Sequence, residues 1–431
     1  MYDLYQTDSY CYIVPNGTAV ITQCKIDNAD VINVPEIIDG YKVTELYEYS
    51  FEYLSASEIN LPEGLEVIGE SAFKNCRNLK RINMPSTLKR ILSYAFDSCN
   101  SLESVKLPNQ VVLVAQAFYK CENLKKIEVN EDNETYYSID GVLYIKDDNR
   151  LALYPLGKED EEYSIPPKTA SIVPYVFAFN VYVKKIIIPD TFKQIDPGAF
   201  SMAAALEEIK IPDTIENIGK QSFAHCISLS HIKLPHKLKV VDEEAFAQSG
   251  LTEIEIPEGT EVIESKAFYN CERLKSVKLC DSLQRISEEA FARCVSLVDI
   301  SLAWGRMSFV NPMAFAGCTS IKEIYFPGYM IVTPGLFMGC GSVETVYLND
   351  KVVHIGQQSF AGCVSLKRIY IYDSTTEIDD NAFNKCDSLS EIIYSGSENQ
   401  WKKIKISNVG NEVIYKASVS FNNRRGEECD Q

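Results

Sequence analysis

Four histidines and fourteen cysteines carry most of the reactive chemistry of this 431-residue chain. His231 lies in a segment of strand-like alternation. Parallel neighbours about 4.8 Å away would set it beside Glu208, Lys210, Lys233, Glu253 and Glu255. On paper that is an acid–base constellation. The same residues also form an alternating-sign ladder of cross-strand pairs on a solvated sheet. With no nucleophile beside them, the ladder is the simpler reading. The acidic pairs Glu243-Glu244, Glu288-Glu289 and Asp379-Asp380 read as solvated charge at helix starts. No phosphate-cradling glycine loop, nucleophile elbow or Cys-x-x-Cys zinc pattern occurs. The sequence therefore predicts no enzyme, no catalytic residue, no cofactor and no metal site.

Ten cysteines recur in one slot: Cys76, Cys99, Cys121, Cys226, Cys271, Cys294, Cys318, Cys340, Cys363 and Cys386. Elsewhere the slot holds Leu54, Asn180, Ala203 or Ser249. One thiol per turn cannot converge on a zinc ion. The expectation is a column of reduced thiols acting as small apolar side chains.

Those cysteines follow a phenylalanine by three. The phenylalanines are Phe51, Phe73, Phe96 and Phe118, then Phe177, Phe200, Phe223, Phe246, Phe268, Phe291, Phe315, Phe337, Phe360 and Phe383. Within each group the spacing is 22 to 24 residues. The unit reads L-x-x-I-x-x-x-A-F-x-x-C-x-x-L-x-x-I-x-I-P, as in Leu65, Ile68, Ala72, Phe73, Cys76, Leu79, Ile82, Met84 and Pro85. Fixed-period self-similarity means a solenoid. The alternating L-x-x-I-x-I stretch should stack into a curved parallel sheet on one wall. The A-F-x-x-C stretch, with near-helical spacing, should give a short helical turn on the other. The expected fold is an α/β, mostly β, array of about 13–14 coils with a phenylalanine spine.

Residues 1–45 read as an N-terminal cap and entry, with a hairpin over 8–30. Repeats fill 46–129 and 166–393. Between them, 130–165 reads as a β-meander insertion with turns at Asp140-Gly141 and Asp147-Asp148-Asn149. Residues 394–421 read as a C-terminal cap with Trp401 packed on the last coil. Residues 422–431 read as a polar, disordered tail exposing Cys429.

The unit resembles the BspA-like bacterial leucine-rich repeats. The stretches Val31–Val34 to Thr44, Asp140 to Tyr144 with Leu151 to Pro155, and Tyr394 to Trp401 resemble that family's entry, insertion and cap. The resemblance implies a leucine-rich-repeat solenoid used for protein contacts, often as a surface adhesin.

Net charge is −18 and the isoelectric point about 4.8, which disfavours nucleic acid and anionic membrane as partners. No run reaches the ~18–20 apolar residues of a membrane span, so membrane insertion is not expected. MYDLYQTDSYCY has no basic or apolar leader region. The expected location is the cytoplasm, or the cell surface or exterior if a leader once preceded it.

On the outward positions of the L-x-x-I-x-I strands, basic residues such as Lys80, Arg81, Lys106, Lys210, Lys233 and Lys275 outnumber acidic ones. That fits an acidic partner, or equally the preference of lysine for exposed strands. One outward slot holds Tyr325, Tyr347 and Tyr370 in consecutive coils, with Arg368 beside them and Trp304-Gly305-Arg306 just before. Trp, Tyr and Arg anchor interfaces. A stacked tyrosine column can also simply stabilise a sheet. Trp304, Arg306, Tyr325, Tyr347, Tyr370 and Arg368 are thus the candidate partner-binding residues. A protein partner is expected, and a glycan is the alternative.

Overall fold

The computed structural model describes residues 2–114, 116–301, 309–326 and 331–422. The chain forms two compact units, residues 1–183 and 184–431. Each is a stack of coils around an apolar interior. Together they hold about 17 turns, more than the spine phenylalanines number, because cap strands such as Tyr41–Leu46 and Lys405–Ile406 join the same sheets.

In the first unit, Val31–Asn33, Glu58–Asn60 and Arg81–Asn83 pair in parallel and in register, Ile32 to Ile59 to Ile82. The isoleucines point inward and their neighbours outward, so a one-residue slip would turn the apolar set to solvent. Ser104–Leu107 and Lys126–Val129 form a second parallel pair. The second unit repeats the arrangement in Lys185–Ile187 with Glu208–Lys210, in Glu253–Glu255 through Asp299–Ser301, and in Glu323–Tyr325 through Ser418–Ser420. Residues 231–235 form no strand, so His231 and Lys233 sit in a break of this face.

Two features depart from the sequence reading. The first is a second set of parallel two-residue strands, built from the L-x-x-I half of the unit. In the first unit Val67–Ile68, Arg90–Ile91 and Val112–Leu113 pair in this way, and in the second Gln194–Ile195 through Phe309–Val310 form a sheet of their own. The second concerns the expected helical turns, which are absent. The α-helix among the described residues is Glu398–Trp401, in the cap.

The phenylalanine segment is a pair of turns instead. In every coil the residues two before and two after the phenylalanine have positive φ. Ser71 and Asn75 flank Phe73, Gln221 and His225 flank Phe223, and Gly335 and Gly339 flank Phe337. Left-handed residues cannot continue a right-handed helix. The bonding shows what replaces it. The Phe73 and Asn75 N–H groups donate to Ala95 and Asp97 of the next coil, both at 2.8 Å, while Lys74 and Cys76 close turns on Ser71 and Phe73. Alternate amides thus bind between coils and within them, so this coil's backbone donors are met without a helix.

The spine is continuous over Phe200 to Phe383, with ring centroids 5.0–5.9 Å apart and nearly parallel planes. The cysteine column does more than fill space. All ten repeat thiols donate to the phenylalanine carbonyl of the preceding coil, from Cys76 to Phe51 at 3.0 Å through Cys386 to Phe360 at 3.1 Å. The same carbonyl accepts the N–H of its own coil's cysteine, as Phe73 does from Cys76 at 3.2 Å. The thiol therefore uses the carbonyl's second lone pair in a dry site.

The N-terminal cap holds the hairpin of Tyr10–Ile13 with Ala19–Cys24, and Leu4–Gln6 adds a third antiparallel strand to it. The strands Tyr136–Ile139, Val142–Ile145 and Leu151–Leu153 form a second meander. Asp140 and Gly141 both have positive φ at its first turn. A side chain at Gly141 would meet Lys126 Cβ at 2.7 Å, so this tight turn lies directly on the preceding coil. Tyr154 continues the spine with its ring 4.8 Å from that of Phe177.

At the C-terminal end, Trp401 packs edge-on against Tyr394 at 5.1 Å. Asn411 imitates a missing coil. Its Oδ1 accepts the Phe383 N–H at 3.0 Å, where inner coils use a backbone carbonyl, and its Nδ2 donates to the Asp379 and Ser407 carbonyls. Asn411 is fully buried. Asn411→Ala should cost about 2–3 kcal/mol, because buried donors and acceptors lose partners that water cannot replace. Hydrogen exchange at the Phe383 amide checks this; unchanged protection would count against the cap.

Candidate functional site

The face that could meet a partner is the long-strand sheet of the second unit. Register places Tyr325, Tyr347 and Tyr370 opposite one another in adjacent strands. Tyr325 and Tyr347 stack at 4.5 Å and 3°, and Tyr347 and Tyr370 at 4.6 Å and 18°. The column is graded in exposure: Tyr325 is 51% exposed, Tyr347 half-buried and Tyr370 only 8% exposed. The slot continues through buried Ile393 to Ser420. Only the first two tyrosines are open to a partner. Tyr370, although central in the sequence pattern, belongs to the core.

Arg368 is committed, with its Nε 2.5 Å from Glu391 Oε2. Trp304 and Arg306 lie outside the described residues, as does Cys429. Tyr325 donates its hydroxyl to Glu323 Oε2 at 2.9 Å. That bond, with burial adding to it, pushes the phenol well above its usual range. Burial also raises the Tyr347 phenol.

Much of the basic surplus on this wall is already paired. Lys278 meets Glu255 at 2.6 Å, Lys367 meets Glu344 at 2.8 Å and Lys185 meets Glu208 at 3.8 Å. Hydrogen bonds from those lysines hold Glu255 and Glu344 below the ordinary carboxylate range. His231 Nδ1 lies 3.4 Å from Glu253, both side chains about two-thirds exposed. These are lateral charge pairs between neighbouring coils, with His231 itself outside a strand. The constellation around His231 is not gathered into a pocket.

A concavity of about 380 Å³ lies on the short-strand side, lined by Asn217, Ile218, Val240, Asp242, Glu243, Glu264 and Ser265. Its acids are partnered: Glu264 by Arg285 at 2.6 Å and Ser287 at 3.0 Å, Glu243 by Lys220 at 2.8 Å. Among the described residues no group of three metal-ligating side chains converges. No helix there is long and apolar enough to cross a membrane.

Two arrangements escaped the sequence reading. Asn33, Asn60 and Asn83 form an exposed amide ladder in the slot that the tyrosines occupy later, with Asn60 donating to Asn33 at 2.8 Å and Asn83 to Asn60. Three asparagines at one outward position were the available signal. Glu323 counts among the acidic residues of the wall, but its contact with Tyr325 was not anticipated, because it depends on which side chains the neighbouring strands bring close.

The family described as BspA type leucine rich repeat region (6 copies) matches residues 37–139, 159–260, 239–332 and 330–411. The unmatched stretch between the first two contains most of the meander. A leucine-rich repeat protein from Bacteroides ovatus shares 21% identity, with a TM-score of 0.55, over 97% of this chain and 99% of its own. One from Eubacterium ventriosum shares 23%, with a TM-score of 0.60, over 75% of this chain and 96% of its own. No curated protein matches the sequence. At these identities the structures speak for the fold alone, while the family match covers most of the chain. With its spine, its paired sheets and that match, this chain belongs to the BspA type of leucine-rich repeat proteins.

Proposed function

We propose that the protein is a non-enzymatic scaffold that binds a protein partner on the long-strand face of its second unit, through Tyr325 and Tyr347. The observation that carries this reading is Tyr325, a stacked ring that is half exposed on an otherwise charged wall. Tyrosine brings a large contact area at low entropic cost and is over-represented among interface anchors. The ordinary occupants of the slot, Lys210, Lys233 and Glu255, show that the coil itself does not require an aromatic there.

A protein fits this surface better than a glycan does. A sugar site wants more than one open ring face, and Tyr347 has a tyrosine on both of its faces, which leaves Tyr325 alone to stack on a sugar. What Tyr347 presents is an edge and a hydroxyl, which suit peptide groups and side chains.

The test is affinity capture of the partner from the native host, followed by calorimetry with the purified pair. Tyr325→Ala combined with Tyr347→Ala should leave the far-UV spectrum unchanged. It should weaken binding by about 2 kcal/mol or more, roughly thirtyfold. Wild-type affinity in that variant would move the site elsewhere.

A further inference from the structure

We infer that the partner meets this face with a cationic side chain from a basic segment, stacked on the open face of Tyr325 and paired with Glu323. The inference rests on the binding face proposed above and names the partner's chemistry.

Tyr347 covers one face of Tyr325, in parallel planes 4.5 Å apart. Although Tyr347 covers one of its faces, Tyr325 as a residue remains 51% exposed. Among the described residues no cation or second ring stacks on the other face, whereas Tyr119, Phe179 and Tyr269 already carry a lysine or an arginine of their own chain. The hydrogen bond from the Tyr325 hydroxyl to a carboxylate pushes electron density into the ring. That strengthens its attraction for a cation.

Glu323 is the second half of the site. It is exposed, and among the described residues it accepts from the Tyr325 hydroxyl without a cation partner. Several of its counterparts along the wall are answered by a cation, Glu208 by Lys185, Glu255 by Lys278, Glu344 by Lys367 and Glu391 by Arg368. Among the described residues Glu207 has no ion pair either, but it has no exposed ring beside it. Opposite Glu323 in the paired strand stands Thr345, nearly buried and neutral. The nearby Lys322 acts on Glu344, whose carboxyl it helps to lower. An unanswered carboxylate beside a bare, electron-rich ring is what an arginine or lysine recognises. The net charge of −18 steers a basic segment toward the molecule and an acidic one away.

The full chain should be titrated with a labelled peptide alternating arginine and threonine, and with its glutamate-for-arginine counterpart, by fluorescence anisotropy at low and physiological salt. The arginine peptide should bind and the glutamate peptide should not. Glu323→Gln and Tyr325→Leu should each weaken binding roughly tenfold. Glu207→Gln, a carboxylate elsewhere on the wall, should change it less than twofold. Equal losses for Glu323→Gln and Glu207→Gln would reduce the effect to diffuse charge and overturn the inference. The captured partner separates the two proposals. If the double tyrosine variant loses it while Glu323→Gln keeps it, the cationic contact is wrong and the binding face stands. If neither variant loses it, both fall.

Discussion

Raising the pH above about 9 should unfold this protein cooperatively in reducing buffer, and the cysteine column sets the direction. Burial pushes Cys76, Cys226, Cys340 and Cys386 up to about 12, and holds Cys99, Cys318 and Cys363 well above their ordinary value. In the unfolded chain a thiol ionises near 8.5. The folded pKa is the higher one, so the unfolded state releases protons first as pH rises. The stability tied to each thiol is complete below about 8.5 and drains away toward about 12. Each thiol held protonated costs about 1.4 kcal/mol per pH unit across that window. Cys271, where hydrogen bonds from Cys294 and Ser249 outweigh burial and lower the thiol, does not contribute, and the other nine together cost about 13 kcal/mol per unit. That rivals the whole stability of an ordinary domain, about 5–15 kcal/mol. The transition should therefore finish within one or two pH units of its onset.

Geometry adds to the effect. A thiolate cannot donate to the phenylalanine carbonyl, and would place charge against that oxygen with no water to screen it. Coils Phe268 to Phe383 carry a cysteine without interruption, whereas Phe177, Phe200 and Phe246 are followed by Asn180, Ala203 and Ser249. Circular dichroism against pH should show the transition, and hydrogen exchange at pH 9.5 should show 268–386 opening before 177–250. Cys318→Ala with Cys340→Ala should lower stability at pH 7 yet raise the pH midpoint. A far-UV spectrum unchanged through pH 11 would show that the thiols do not control stability.

What could be read from the sequence, and what could not, divides along physical lines. The spine was plain because phenylalanine is large, apolar and periodic, and nothing but stacking needs it every 22 to 24 residues. The turn wall was misread as helical because residues such as Ser71, Gln221, Glu244 and Lys266 are ordinary in type, yet adopt positive φ. Each such conformation costs about 1–2 kcal/mol, offset by the amide bonds that the next coil supplies. A clue was present. Gly198, Gly317, Gly335, Gly339 and Gly362 all stand two residues from a spine phenylalanine, where a backbone needing left-handed geometry collects glycine.

The site was half legible. The tyrosine column follows from register alone, and the structure stacks it. Its exposure does not follow, because Tyr370 is buried near the end of the array, where the repeat pattern gives no guide. The basic surplus on the wall was a true count with a different meaning, since cross-strand pairing depends on side-chain reach and not on composition. Lys367 and Glu344, 2.8 Å apart, cancel each other as far as a distant partner is concerned.

Phe291→Ala should destabilise the second unit by about 3–5 kcal/mol, the cost of a cavity in a tightly packed core. Phe291 is fully buried between Phe268 at 5.0 Å and 2° and Phe315 at 5.4 Å and 4°, so one truncation removes two ring contacts. Each stacked pair adds about 0.5–1.5 kcal/mol beyond area burial. The backbone here must stay in place, because the Phe291 amide donates to Ala314 at 2.8 Å and its carbonyl takes Cys318 Sγ at 3.2 Å. Neighbouring coils therefore cannot collapse into the void, which puts the cost at the upper end of the range. Phe51 makes a useful contrast. It lies at the edge of the array, 5.3 Å from Phe73 but tilted by 50°, so Phe51→Ala should cost less. Because a repeat array is held by nearest-neighbour contacts, the loss from Phe291→Ala should stay local. Amides of the coils around Phe268 and Phe315 should exchange faster, while those near Phe200 keep their protection. Urea unfolding followed by hydrogen exchange measures both quantities. If Phe291→Ala unfolds at the wild-type midpoint, the stacked rings are passengers on a backbone lattice that holds the coils by itself.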